Sequence, residues 1–242
     1  TSSLLGLDEV CRAFPTLSGT IALERSLRAA EHLGAIAKKR SVTLMTTDNT
    51  IDLARSLVLN RPGWTCETAR CNTAESLAED LILAIDAIGE QGSTYLVVLV
   101  TSPNNPDGRC LSGSDLQILA ERCNYWGALL IVDHCFLLAG LGSSGDIPKI
   151  WDSVSIDCPW ISTWDTGKTL NAGGAKFGFI LSSCDLVISQ VERAIDELHV
   201  QLPWDDVVLM TELLHAPQFY AAKDRLETAC RENLAVLRRL VG

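Results

Sequence analysis

The sequence predicts an α/β protein with a mostly parallel sheet flanked by helices, and three observations carry that prediction. Apolar runs alternate with amphipathic stretches along most of the chain, as they do where strands are joined by crossover helices. Two runs, Tyr95-Leu96-Val97-Val98-Leu99-Val100 and Ala128 to Val132, are apolar throughout. Strands covered on both faces have that composition, whereas half-exposed strands alternate. Three polar segments follow consecutive predicted strands, where open α/β sheets place their ligands.

Taken in order, Thr20 to His32 has helical spacing at Ile21, Leu23, Leu27 and Ala30. Val42-Thr43-Leu44-Met45-Thr46 is a short strand, Thr50 to Leu59 a helix, and a further short strand lies between Gly63 and Asn72. Ala74 to Ile88 is helical, with Leu77, Leu81, Leu83 and Ile85 among its apolar positions. After the Tyr95 strand, Ser112 or Ser114 caps a helix that runs to about Trp126. The Ala128 strand ends at Asp133, and a loop rich in Gly and Ser, Gly140 to Gly145, follows. Trp160 to Thr163 and Phe177 to Leu181 are the last strands. From Asp185 the pattern is helical almost to Gly242, interrupted at Pro203 and Pro217. With no internal repeat, low-complexity tract or convincing linker, residues 1–242 are expected to form one domain.

Composition excludes several classes. A chain of 242 residues, 47% hydrophobic and 21% charged, can bury a substantial core. The formal charge of −10 argues against a nucleic-acid surface and against anionic lipid. There is no apolar run of membrane-spanning length, and Thr1 to Leu7 lack the basic start of a signal peptide. Nine cysteines are scattered without a C-x-x-C pair, and the four histidines show no ligand spacing. Neither a metal site nor a disulfide framework is expected; buried thiols in a reducing, cytoplasmic compartment are.

The chemistry lies in Pro103-Asn104-Asn105-Pro106-Asp107-Gly108, in Asp133-His134-Cys135-Phe136, and in Asp165-Thr166-Gly167-Lys168 followed by Lys176. Each is weak alone: N-P-D-G is an ordinary turn, and a lone lysine is usually a solvated one. Together and in this order they resemble the fold-type I enzymes of pyridoxal 5′-phosphate (PLP), the class I/II aminotransferase superfamily, over roughly residues 15 to 182. The fold implied is the large domain of a PLP-dependent transferase.

The resemblance implies PLP as cofactor, with Lys168 forming a Schiff base to its aldehyde. Asp133, after the apolar run Leu129-Leu130-Ile131-Val132, needs a partner; the resemblance supplies the protonated pyridine nitrogen, and a turn or helix cap is the plainer alternative. Asn105 would donate to the phenolic oxygen of PLP while also shaping its turn. Ser18-Gly19-Thr20 opens a helix and would hold the phosphate, with Thr16 a neighbouring candidate; simple capping by Ser18 is the alternative. Lys176 stands eight residues after Lys168, where the family carries a phosphate-binding arginine.

Departures from the family pattern narrow the likeness. Phe136 stands where a tyrosine donates to the PLP phenolic oxygen, and Asp165 where a serine is usual. Lys176 is a point charge without a guanidinium fork. No stacking aromatic stands among Thr47, Asp48 and Asn49. The set of D-x-x-F, D-T-G-K and a lysine eight residues later is similar to PLP-dependent arginine oxidases and hydroxylases, which use molecular oxygen with PLP alone. The likeness is closest in Thr101 to Arg109 and in Trp164 to Lys168.

The family's N-terminal arm and C-terminal small domain are expected to be absent. Arg225, Arg231, Arg238 and Arg239 follow a helical pattern and look like a solvated face, not a carboxylate clamp. Three functions stay open: oxidation or hydroxylation of an arginine-like amino acid, ordinary transamination, and a catalytically incompetent PLP-fold interaction subunit. The resemblance further implies an amino-acid substrate, and a homodimer or an assembly with other chains.

Overall fold

The computed structural model describes residues 11–50, 52–71, 77–137, 147–154, 158–169, 176–198 and 202–241. These residues place seven strands in one sheet: β1 (Arg12–Thr16), β2 (Val42–Thr47), β3 (Trp64–Ala69), β4 (Tyr95–Thr101), β5 (Leu129–Asp133), β6 (Trp160–Asp165) and β7 (Gly178–Ser182), ordered β1-β7-β6-β5-β4-β2-β3. Strands β3, β2, β4, β5 and β6 pair in parallel. Strand β7 runs antiparallel to both β6 and β1. The mostly parallel sheet expected from the sequence is therefore present, with one strand reversed.

Helices cover both faces: α1 (Gly19–Ile36), α2 (Leu53–Val58), α3 (Leu77–Gly89), α4 (Gly113–Trp126), α5 (Ile150–Ser153), α6 (Thr166–Thr169), α7 (Asp185–Asp196), α8 (Trp204–His215) and α9 (Pro217–Val241). Side-chain alternation divides the interior into two cores. Tyr95, Val97 and Leu99 of β4, with Leu129 and Ile131 of β5, pack against Leu23, Leu27 and Ala30 of α1 and Val187 and Val191 of α7. Leu96, Val98 and Val100, with Leu130 and Val132, pack against Leu81 and Ile85 of α3 and Leu116 and Leu119 of α4. That division explains why these two strands lack polar alternation.

Local signals set several boundaries. Ser112 caps α4 through a capping box with Asp115, and Gly127 ends it with φ 62°. Sequence reasoning missed β1, α5 and α6, which are four or five residues long. Strand β1 contains Pro15, tolerated because β1 is an edge strand. The helix expected from Thr50 begins at Leu53, and the break expected at Pro217 is present: α8 ends at His215 and Pro217 opens α9. The start expected at Ala74 and the Gly140–Gly145 loop lie outside the described residues. No described helix is long and apolar enough to cross a membrane.

Candidate active site

Strand parity decides which side chains meet at the carboxyl end of the sheet. Ile131 of β5 and Ile161 of β6 face α1, so Asp133, Thr163 and Asp165 face the same way. Strands β5 and β6 pair with Asp133 opposite Thr163. The Thr163 hydroxyl donates to Asp133 Oδ1 at 3.0 Å, and the Cys135 backbone N–H donates to the same oxygen at 3.1 Å. Both donors are neutral. Burial raises the Asp133 carboxyl pKa against the pull of these bonds and of one from the Cys135 thiol, and the Asp165 carboxylate pushes the same way as burial.

Lys168 lies in α6, directly after β6, with its side chain exposed and its amine 5.5 Å from the centre of the Phe136 ring. Cys135 shares this neighbourhood. Burial, and then Asp133, push its thiol pKa far up, while Lys168 pulls the other way. The Thr166 hydroxyl donates to the Phe177 carbonyl at 3.2 Å and accepts from the Phe177 N–H at 2.7 Å. This pair ties the lysine turn to the segment that carries exposed Lys176. The Lys176 stem lies over Gly167, where a β-carbon would stand 3.1 Å from Lys176 Cβ.

Helix α1 reaches the same place from β1. Ser18 caps it, its hydroxyl accepting from the Ile21 N–H at 3.3 Å, and the Thr16 hydroxyl donates to the Ser18 carbonyl at 2.9 Å. The Gly19 N–H donates to Asp165 Oδ2 at 2.7 Å. The other oxygen, Oδ1, accepts from the Gly167 N–H at 2.6 Å and the Lys168 N–H at 3.3 Å. Asp165 is buried, whereas Thr20 is exposed.

Asn105 is half-buried in the loop after β4. Its neighbour Asn104 donates to the Asn49 carbonyl at 2.7 Å and to Asp107 Oδ1 at 2.9 Å. Asn49 and Arg109 both donate to Asp107 Oδ2 at 2.8 Å. These bonds brace the N-N-P-D-G loop against the end of β2. The aromatic ring beside Lys168 comes from Phe136.

The structure thus brings Asp133, Phe136, Asp165, Lys168 and the start of α1 to one end of the sheet. Sequence reasoning missed Thr163, Cys135, Asn49 and Asp107. Parity with Ile161 could have put Thr163 on the right face, but its contact with Asp133 depends on strand register.

The profile of the family "Aminotransferase class I and II" matches residues 58–234. The chain belongs to that family. Two curated proteins are similar over part of it, both threonine-phosphate decarboxylases. One from Sinorhizobium sp is 39% identical over 121 residues, 48% of this chain and 33% of that protein. One from Salmonella typhimurium is 29% identical over 140 residues, 57% of this chain and 35% of that protein. The matched segments thus span about a third of these relatives.

Among solved structures, an aromatic amino acid aminotransferase with 3-indolepropionic acid superposes with a TM-score of 0.73 at 19% identity, over 97% of this chain and 61% of that one. An aromatic amino acid aminotransferase from Burkholderia cenocepacia gives 0.70 at 18%, over 95% and 57%. YbdL from Escherichia coli, a methionine aminotransferase, gives 0.71 at 15%, over 92% and 56%. At these identities the likeness shows the fold.

The family's cofactor is PLP, and the chemistry of the donor set fits it. A half-buried carboxylate held by neutral donors and an exposed amine stand just past the carboxyl ends of adjacent strands, as a cationic heteroaromatic aldehyde requires. At the start of α1 the Gly19 amide holds the carboxylate of Asp165.

Proposed function

We propose that this chain is the cofactor-binding part of a PLP-dependent enzyme that acts on amino acids, of the aminotransferase type. One observation carries the reading: Asp133 ends β5 and Lys168 follows the adjacent, parallel β6, with both close enough to Cys135 to act on its thiol. When bound, PLP supplies an aldehyde that captures amines and a ring that withdraws electrons from the substrate Cα. Lys168 would hold the cofactor through its amine and would serve as the base that moves the proton at the substrate Cα. Asp133 keeps the proton on the pyridine nitrogen, oriented by Thr163 and the Cys135 amide. Asn105 would donate to the ring oxygen, and Phe136 sets an apolar ring beside the Lys168 amine. Ser18, Gly19, Thr20 and Lys176 serve the phosphate, with Asp165 beside them.

The matched solved aminotransferases support transamination, and the two similar threonine-phosphate decarboxylases keep decarboxylation of an amino-acid substrate open. A second reading, oxidation or hydroxylation of an arginine-like substrate, is favoured by Phe136 and Asp165 standing where the family has tyrosine and serine.

Borohydride reduction of the PLP-loaded chain, followed by peptide mass analysis, tests the common core. The reduced adduct is expected on Lys168, and Lys168→Ala is expected to lose it while keeping its fold. A reducible visible chromophore surviving in that variant would refute the assignment. Keto-acid-dependent amine transfer against oxygen consumption with L-arginine separates the two readings.

A further inference from the structure

At the start of α1 the chain provides its own anion. The Asp165 carboxylate accepts from the Gly19 N–H at 2.7 Å, from the Gly167 N–H at 2.6 Å and from the Lys168 N–H at 3.3 Å. It is 7% exposed, placed by β6 parity on the side that meets α1. Two glycines permit the contact. A β-carbon on Gly19 would stand 2.8 Å from Asp165 Oδ2, and one on Gly167 would stand 2.8 Å from Oδ1. Real β-carbons do not approach so closely, so an alanine at either place would push the carboxylate off its amides. The site is therefore shaped around this side chain.

A phosphate seeking the Gly19 amide meets a charged competitor already bonded there. Both want the same N–H and the positive end of the same 18-residue helix. We propose that Asp165 is an internal substitute for phosphate at the head of α1, so that a phosphorylated cofactor seats by displacing it, and that Asp165 sets this chain's phosphate affinity. The same carboxylate holds the Gly167 and Lys168 amides, so displacing it also loosens the turn that carries Lys168. Phosphate arrival and lysine mobility are coupled through one side chain.

The proposal rests on the reading of α1 as the phosphate end of the cofactor site. Its test uses the full chain, with wild type and Asp165→Ser compared on three probes: PLP, pyridoxal, which lacks the phosphate, and inorganic phosphate. In wild type, PLP is expected to bind less than about tenfold tighter than pyridoxal, and inorganic phosphate to leave the melting temperature nearly unchanged. A charged hydrogen bond gained by the ester corresponds to about tenfold or more in affinity. In Asp165→Ser the preference for PLP is therefore expected to widen by at least about tenfold, and inorganic phosphate to raise the melting temperature. Asp165→Asn keeps an accepting oxygen without the charge and carries the same expectation should the serine variant misfold. An unchanged or narrower PLP preference, with no gain in phosphate stabilisation, overturns the proposal. Reduced adducts absent from Lys168 in every protein would overturn the reading of the lysine instead, and the inorganic phosphate arm would still decide the role of Asp165.

Discussion

At Asp133, neutral donors from Thr163 and Cys135 do not offset the burial of the carboxyl group, so the folded chain tolerates its negative charge poorly. Because its folded pKa is raised, the stability it contributes is complete below the unfolded carboxylate range. That stability is lost as pH rises through the folded value. Asp133→Asn is therefore expected to make the cofactor-free chain more stable at neutral pH, with the gap closing as pH falls toward 4; denaturant melts at both pH values check this. The same variant is expected to cut turnover at least about 10²-fold. Equal stability at neutral pH with unchanged turnover would mark Asp133 as a turn residue. Asp133 stood out in the sequence because it follows an apolar run, whereas Lys168 and Asp165 stood out only through the ordered motifs that resemble the family. Thr163 did not, because its bond to Asp133 depends on the β5–β6 register.

Among the elements, α1 shows how closely the site depends on backbone approach. Gly178 at the start of β7 lies under the Ser18 carbonyl, and a β-carbon there would overlap that carbonyl and crowd the Thr16 hydroxyl. The obstacle is backbone, so no rotamer change relieves it. Gly178→Ala is expected to destabilise the chain by about 1–3 kcal/mol and to weaken PLP binding by shifting the head of α1. Denaturation and cofactor titration measure the two effects, and a variant matching wild type in both would show that α1 is not seated by this contact. The strands β4 and β5 and the helices α1 and α4 were readable from periodicity and caps. Strand β1 was not, since five residues at a sheet edge, one of them proline, offer no pattern until β7 pairs with them.

At the scale of the whole molecule, buried His134 ties the sheet to α5. Its Nδ1 lies 2.7 Å from the Ser102 carbonyl, and its Nε2 accepts from the Ile150 N–H at 3.3 Å. A second proton would have to go on Nε2, against that N–H. Burial accordingly pushes the His134 pKa down to about 4. For a base with a depressed folded pKa, the stabilisation is present above the unfolded value near 6.5 and lost as pH falls through the folded one. Wild type is expected to lose roughly 3 kcal/mol from this group between pH 6.5 and 4, at about 1.4 kcal/mol per unit. His32, also depressed by burial, adds in the same direction, while Asp133 opposes both. Comparing the pH dependence of unfolding in wild type and His134→Gln isolates the His134 share; parallel curves would disprove it.

The α/β class and the identity of the longer strands and helices follow from the sequence alone, and the ordered motifs around Asn105, Asp133 and Lys168 carry the resemblance to the family. Periodicity, apolar runs and turn residues are properties of neighbours along the chain. The tertiary structure decided which distant groups meet: Thr163 with Asp133, and Asp165 with Gly19 across 146 positions. Those contacts depend on strand register, strand order and the path of α1 over the sheet. Side-chain packing selects these, and no local stretch of sequence encodes them.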